Sequence, residues 1–260
     1  MMKFLINLAL RLIPRKYIQL FAHFVAKILS VFYLGDKVEC LVCNHTYRKF
    51  MPFGRLQAAR DNALCPNCLS LERHRMMWYF LKNKTGFFND TLGMLHIAPE
   101  YCFIKRFKSL ENLNYISGDL ESPLAMVKMN VLDIPFHDKM FDVVFCNHVL
   151  EHLEDDLKAM SEIYRVLKPG GWAILQVPVR LGMEKTYEDF SITSPKEREI
   201  HFGQDDHVRQ YGEDYPERLQ KAGFVVKPYD FADLTEEECR RYGFFKGELL
   251  YYCEKPIGLQ

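Results

Sequence analysis

Phe141-Asp142-Val-Val-Phe-Cys146-Asn147 and, after a helical pattern, Arg165-Val-Leu167-Lys-Pro169-Gly170-Gly171-Trp172-Ala-Ile-Leu-Gln-Val177 decide the fold. Phe141–Cys146 is an apolar run of strand length, and Trp172–Val177 is a second. Between them the helix must stop at Lys168-Pro169-Gly170-Gly171. Proline cannot continue a helix, and glycine reaches the positive φ needed to turn back into a strand. Strand, helix, tight turn and strand make a unit of parallel sheet.

Further buried-strand runs read as Leu92–Ala98, Leu113–Ser117, Gly223–Val226 and Leu249–Cys253, with helical patterns between several of them. Strands alternating with helices predict an α/β domain with a mostly parallel sheet covered on both faces. Leu71–Leu81 reads as a helix leading into it. The 260 residues, 48% hydrophobic, suffice for one sizeable domain and something small beside it. Lys plus Arg and Asp plus Glu are each 34, so the chain lacks the positive field of a protein that holds long nucleic acid.

Residues 1–34 hold Lys3, Arg11, Arg15, Lys16 and Lys27, no acidic residue and many large apolar ones. Gln19, His23 and Lys27 break the best apolar run below the roughly 20 residues that span a bilayer. Contact with a membrane surface and a pair of helices packed on the catalytic domain are both compatible with this basic amphipathic pattern. No small-residue cleavage site follows, which argues against a secretory signal and for the cytoplasm, including the inner membrane face.

From residue 35 to 75 the composition turns to Cys, Asn, Pro, Gly and Arg. Cys40-Leu-Val-Cys43 and Cys65-Pro-Asn-Cys68 stand 21 residues apart, in a segment too poor in apolar side chains to fold on its own core. Two such pairs give the four thiolates that zinc prefers, and with four protein ligands the ion's role is structural. The expected division is therefore 1–34, a helical segment; 35–75, a zinc knuckle; and 76–260, the α/β domain.

The stretch Asp133 to Leu153, followed by Glu162 to Trp172, resembles class I methyltransferases of the broad type 11 kind over roughly residues 90–255. That resemblance implies a seven-stranded Rossmann-like sheet with S-adenosylmethionine across the carboxyl ends of the first, second and fourth strands. It implies that Asp119, with neighbouring Leu120, binds the ribose hydroxyls. Asn130, with Val131, falls near the adenine amino group, and Asn147 and His148 face the methionine part. The first loop, His96-Ile-Ala98-Pro99-Glu100, carries no glycine where the family has a glycine-rich acidic loop; Ala98-Pro99 can turn the chain, and Glu100 can receive the cofactor's amino group. This loop and the cysteine segment together look like a bacterial methyltransferase subgroup.

Methyl transfer needs an aligned acceptor and, where the acceptor carries a proton, a base. The long polar connection 178–215 is the expected source. His207 is the first choice of base, oriented by Asp205 or Asp206, with Arg209 and Tyr211 binding the acceptor and His148 the competing base. His152 is expected to pack or cap. The expected acceptor is a hydroxyl or similar group on a small-molecule, glycan or lipid-linked substrate. Two other readings stay open. An RNA methyltransferase would use the basic cluster Arg48, Lys49, Arg55, Arg60, Arg73, His74 and Arg75, and a non-catalytic adapter would follow from the glycine-free loop.

Overall fold

The protein is described by a computed structural model covering residues 27–54, 59–245 and 247–258. The expectation for residues 1–26 lies outside the described residues. Those described divide into two units, one of 91–99, 111–230 and 249–258, the other of 27–90, 100–110 and 231–248.

In the sheet-bearing unit the strands are β5 (Leu92–Ile97), β6 (Leu113–Asp119), β7 (Val127–Lys128), β8 (Phe141–Asn147), β9 (Leu167–Gln176), β12 (Val225–Tyr229) and β13 (Leu250–Glu254), in the order β12-β13-β9-β8-β5-β6-β7. All pairings are parallel except those of β13, which runs antiparallel to both neighbours. This is the class I methyltransferase fold that the sequence predicts. The six expected strands are present, and the seventh, β7, is a two-residue edge piece.

Six of the seven residues of β8 are buried, as a strand covered on both faces requires. Helix α3 (Asp156–Val166) covers the sheet through Ala159, Met160, Ile163 and Val166, all fully buried and spaced to fall on one face. Burying each of the larger three, Met160, Ile163 and Val166, contributes about 1.5–3 kcal/mol. The Asp155 side chain accepts from the Lys158 amide at 2.9 Å and fixes where α3 starts. Gly170 takes φ +79°, the reversal predicted for the Lys-Pro-Gly-Gly turn. A β-carbon on Gly171 would lie 2.8 Å from the Asp142 carbonyl oxygen.

The connection 178–215 is ordered by a short antiparallel pair, β10 (Tyr187–Glu188) with β11 (Arg209–Gln210), and by α4 (Pro195–Phe202) between them. Helix α5 (Tyr215–Lys221) follows.

The cysteine-bearing unit contains the hairpins β1 (Leu34–Cys40) with β2 (His45–Tyr47) and β3 (Met51–Phe53) with β4 (Arg60–Leu64), and the helices α1 (Glu72–Lys84), α2 (Tyr101–Lys108) and α6 (Glu236–Tyr242). It extends well past the boundary expected at residue 75. The reason is aromatic. Trp78 on α1 stacks on Phe103 and Phe107 of α2, with ring centroids 6.0 and 5.9 Å away, and Tyr79 meets Phe231 and Phe244. Among the described residues, no helix is long and apolar enough to cross a membrane.

Candidate active site

In an open parallel sheet ligands bind where neighbouring strands send their crossovers in opposite directions. Here that point lies between β5 and β8. The residue that leaves each strand is non-glycine with left-handed backbone: Ala98 at φ 48° and His148 at φ 55°. Each costs about 1–2 kcal/mol, and each is pinned by a backbone bond, Ala98 N–H to Gly118 O at 2.9 Å and His148 N–H to Gln176 O at 2.7 Å. Strain held in place at a switch point marks a functional crevice. It also answers the missing glycine, since Ala98 makes the turn itself.

Asp119 ends β6. Its Oδ1 accepts from the amides of Glu121 at 2.8 Å and Ser122 at 2.6 Å, while Oδ2 has no hydrogen-bond partner among the described residues. The aspartate thus forms the turn and keeps one oxygen for a ligand. Leu120 beside it is 53% exposed. Asn130 uses its Oδ1 on the Leu132 amide at 3.0 Å, so the oxygen expected to meet an adenine amino group also holds a turn. Val131 is buried in the apolar core.

His96 is a correction. It is fully buried within β5, its Nδ1 3.1 Å from the Tyr115 hydroxyl and its ring edge-on to Phe145, so it belongs to the core and does not reach a cofactor. Pro99 is buried, Glu100 is the N-cap of α2, and Asn147 is buried at the end of β8.

Beyond His148 the chain makes one 3₁₀ turn, Leu150–His152. His148 Nδ1 lies 3.2 Å from Glu151 Oε1, and its Nε2 is buried without a hydrogen-bond partner. The Glu151 carboxylate is 1% exposed, and its Oε2 likewise has no partner. His207 is 4% exposed and packs edge-on against His152, with ring centroids 4.8 Å apart. Burial lowers the His207 imidazole below its ordinary value, and neighbouring Glu151 opposes that shift. Asp206 bonds elsewhere than expected, placing Oδ2 3.4 Å from His152 Nδ1. Asp205 is exposed.

Arg209 and Tyr211 are corrections as well. The Arg209 guanidinium is fully buried and donates to Glu188 at 2.9 Å and to the carbonyls of Leu150, Leu153 and Glu154. The buried Tyr211 hydroxyl donates to Asp156 Oδ2 at 2.6 Å, and Arg218 also binds that carboxylate. Both side chains spend their polar atoms holding the connection to the turn after β8, so neither is available to an acceptor.

In the other unit the sulfurs of Cys40, Cys43, Cys65 and Cys68 lie within 4.8 Å of one another, with Cys40–Cys68 at 3.6 Å and Cys43–Cys65 at 3.7 Å. A tetrahedral ion with metal–sulfur bonds of about 2.3 Å requires sulfur–sulfur edges of about 3.8 Å. The donors therefore fit zinc, while the separations far exceed a disulfide bond. Both Cys-x-x-Cys turns close with an amide to the first cysteine's carbonyl, Asn44 N–H to Cys40 O at 2.7 Å and Leu69 N–H to Cys65 O at 3.0 Å. Both are followed by a left-handed residue, Asn44 and Leu69. Ser70 Oγ touches the sulfurs of Cys40 and Cys68 at 3.1 and 3.2 Å.

Fold and crevice define the class as an α/β domain with the class I methyltransferase topology. Residues 103–175 match the sequence profile of a family described as "Methyltransferase domain". The chain is 36% identical over 87 residues to tRNA U34 carboxymethyltransferase of Nautilia profundicola, covering 34% of this chain and 27% of that protein. It is 31% identical over 116 residues to the ubiquinone/menaquinone biosynthesis C-methyltransferase UbiE of Vibrio vulnificus, covering 40% and 45%. It is 28% identical over 201 residues to the chloroplastic 2-methyl-6-phytyl-1,4-hydroquinone methyltransferase 1 of Oryza sativa, covering 72% and 52%. The chain thus spans 27% to 52% of the length of these curated relatives. Among solved structures, 1,6-didemethyltoxoflavin-N1-methyltransferase of Burkholderia thailandensis superposes with a TM-score of 0.44 at 14% identity, over 65% of this chain and 72% of that one.

Proposed function

We propose that this chain is an S-adenosylmethionine-dependent methyltransferase with a structural zinc ion in its four-cysteine cluster. The observation that carries the reading is the strained crevice at the ends of β5 and β8, flanked by the available Oδ2 of Asp119. S-adenosylmethionine, when bound, supplies a methyl group on a sulfonium sulfur for in-line displacement. Asp119 Oδ2 accepts from the ribose hydroxyls, and Ala98 turns the backbone clear of the cofactor.

His148 is the base this geometry favours over His207. It stands at the end of the switch strand, Glu151 orients its Nδ1, and its Nε2 is uncommitted. That nitrogen takes the proton of a hydroxyl acceptor.

The acceptor is a small molecule, glycan or lipid-linked compound. Val31, Phe32 and Leu34, 62%, 68% and 64% exposed, support a lipid-surface contact near residues 1–34. RNA is the second reading: of the basic cluster, Arg75 and His74 are buried and Arg60 is bonded to Glu72 at 3.0 Å, while Arg48 and Lys49 stay exposed.

Calorimetric titration with S-adenosylmethionine and S-adenosylhomocysteine tests the reading. Both bind the wild-type protein, and Asp119→Ala weakens both by about 10- to 100-fold, the worth of hydrogen bonds to a charged group. Unchanged affinity in Asp119→Ala overturns the placement, and no binding in folded wild type moves the chain to the adapter reading.

A further inference from the structure

The turn after β8 carries a cluster of which the proposed methyl transfer uses Glu151 alone, through its Oε1. The donor atoms of Glu151, His152 and His207 all lie within 4.8 Å of one another. About a zinc-sized ion, tetrahedral nitrogen and oxygen donors stand about 3.4 Å apart, a spacing within reach of small side-chain rotations. The cluster is also pre-oriented. His152 places Nδ1 near Asp206 Oδ2 and the Asp206 carbonyl, at 3.4 and 3.3 Å, and the buried His207 ring packs edge-on against it with centroids 4.8 Å apart. His152 is thus held from behind through one ring nitrogen, the outer-shell pattern of metal-ligating histidines.

The second, independent observation is Glu151. A carboxylate 1% exposed places one oxygen on His148, and its other oxygen, Oε2, is buried with nothing to bond. An orphaned buried carboxylate oxygen is costly, and a cation is the group that satisfies it.

We propose that Glu151 Oε2, His152 and His207 form a second metal centre, a site for one divalent first-row ion of the zinc class with a coordination position left open. Two imidazoles and one carboxylate select such an ion over Mg²⁺ or Ca²⁺, which require oxygen donors, and over Cu⁺, which requires sulfur. With three protein ligands the open position takes water or another oxygen donor, unlike the closed set of four cysteines. Glu151 bridges the ion and His148, so the occupied site stiffens the histidine that closes the crevice. The inference does not rest on methyl transfer, because its test reads bound metal.

Cobalt(II) is the probe. The metal-free full-length protein is titrated with Co²⁺, and visible absorption and metal content are followed in wild type, His152→Ala and Glu151→Gln. Cobalt on the cysteines adds intense thiolate charge-transfer bands, whereas the nitrogen–oxygen site adds only weak ligand-field bands. The expected result is one equivalent with the weak bands in wild type, whether or not the cysteines load, bound on the order of 100-fold more weakly in both variants. His152 is part-exposed and Glu151→Gln keeps side-chain volume, so both variants are read in folded protein. Absence of the weak-band equivalent in folded wild type overturns the proposal. So does an equivalent whose affinity neither variant changes.

Discussion

Two arginines, Arg75 and Arg209, are among the largest fully buried side chains of the protein, and the two units hold them differently. Arg209, in the sheet-bearing unit, sits against two carboxylates of its own chain, Glu188 at 2.9 Å and Asp156 at 3.7 Å. Arg75, in the cysteine-bearing unit, donates to the carbonyls of Ala63, Ser70, Tyr242 and Gly243 and lies 4.1 Å from the centre of the Phe50 ring, with no carboxylate ion pair among the described residues. With the proposed zinc bound, its balancing charge would come from the thiolates, since four of them around one divalent ion carry a net charge of minus two. One unit is therefore electrically complete as a polypeptide. On the proposed reading the other is complete only once its cysteines hold a metal.

Chelation separates the two units most strongly. A structural four-thiolate zinc contributes on the order of 10 kcal/mol, so metal removal exposes the amides of β1–β4 and α1 to hydrogen exchange, while those of β8 and β9 stay protected. Equal loss in both units would show that the sheet also depends on the metal.

Arg209→Met follows, at about 3–5 kcal/mol in denaturant unfolding, because it orphans the carbonyls of Leu150, Leu153 and Glu154 and removes part of the pairing of the buried Asp156. Arg75→Met sharpens the contrast. Its cost of a few kcal/mol from orphaned carbonyls is present in the metal-loaded protein and shrinks once chelator has released the cysteine unit. A cost indifferent to metal would sink the charge-balance argument. Tyr211→Phe removes one buried hydrogen bond, lowers stability by about 1–2 kcal/mol and leaves S-adenosylmethionine affinity unchanged. A large affinity loss would return Tyr211 to the site.

Acid acts on the sheet unit through Glu162. Hydrogen bonds from Arg165 and the Ile134 amide hold this carboxyl below the usual range. The stability it contributes is full above the unfolded carboxyl value and fades as pH falls through the lower folded value. Glu162→Gln is accordingly less stable than wild type at pH 7, and the gap closes in acid unfolding curves. The smallest effect is Ala98→Gly, which releases left-handed strain and raises stability by about 0.5–1 kcal/mol.

The sheet was legible because strands such as Phe141–Asn147 are buried on both faces, and burial leaves a nearly continuous apolar run, here Val143–Cys146. β7 was not, since Val127-Lys128 is too short to carry a period. The four cysteines were legible from spacing, and the structure brings them together. Arg209 and Tyr211 misled because a long polar connection reads as solvent-facing, while three of Arg209's partners are backbone carbonyls, which no residue letter encodes. The same holds for the unit boundary. Trp78 stacking on Phe103 and Phe107 joins segments that sequence order alone does not associate. Glu151 and His152 were visible as letters, but their meeting with His207 depends on a return of the chain more than fifty residues later.

β13 is late in the chain yet interior in the sheet, between β12 and β9. During synthesis the chain must hold that slot open through residue 249, and Gln176 is what waits there. Its Oε1 accepts from the Tyr251 amide at 2.7 Å and its Nε2 donates to the Leu249 carbonyl at 2.9 Å, an amide side chain imitating a strand edge. The local cysteine turns can close early on the ribosome, but the sheet closes last and through distant pairings, which are slow to form. Until then β9 and β12 present open edges. The nascent protein is thus most exposed to aggregation in the interval before its final strand emerges.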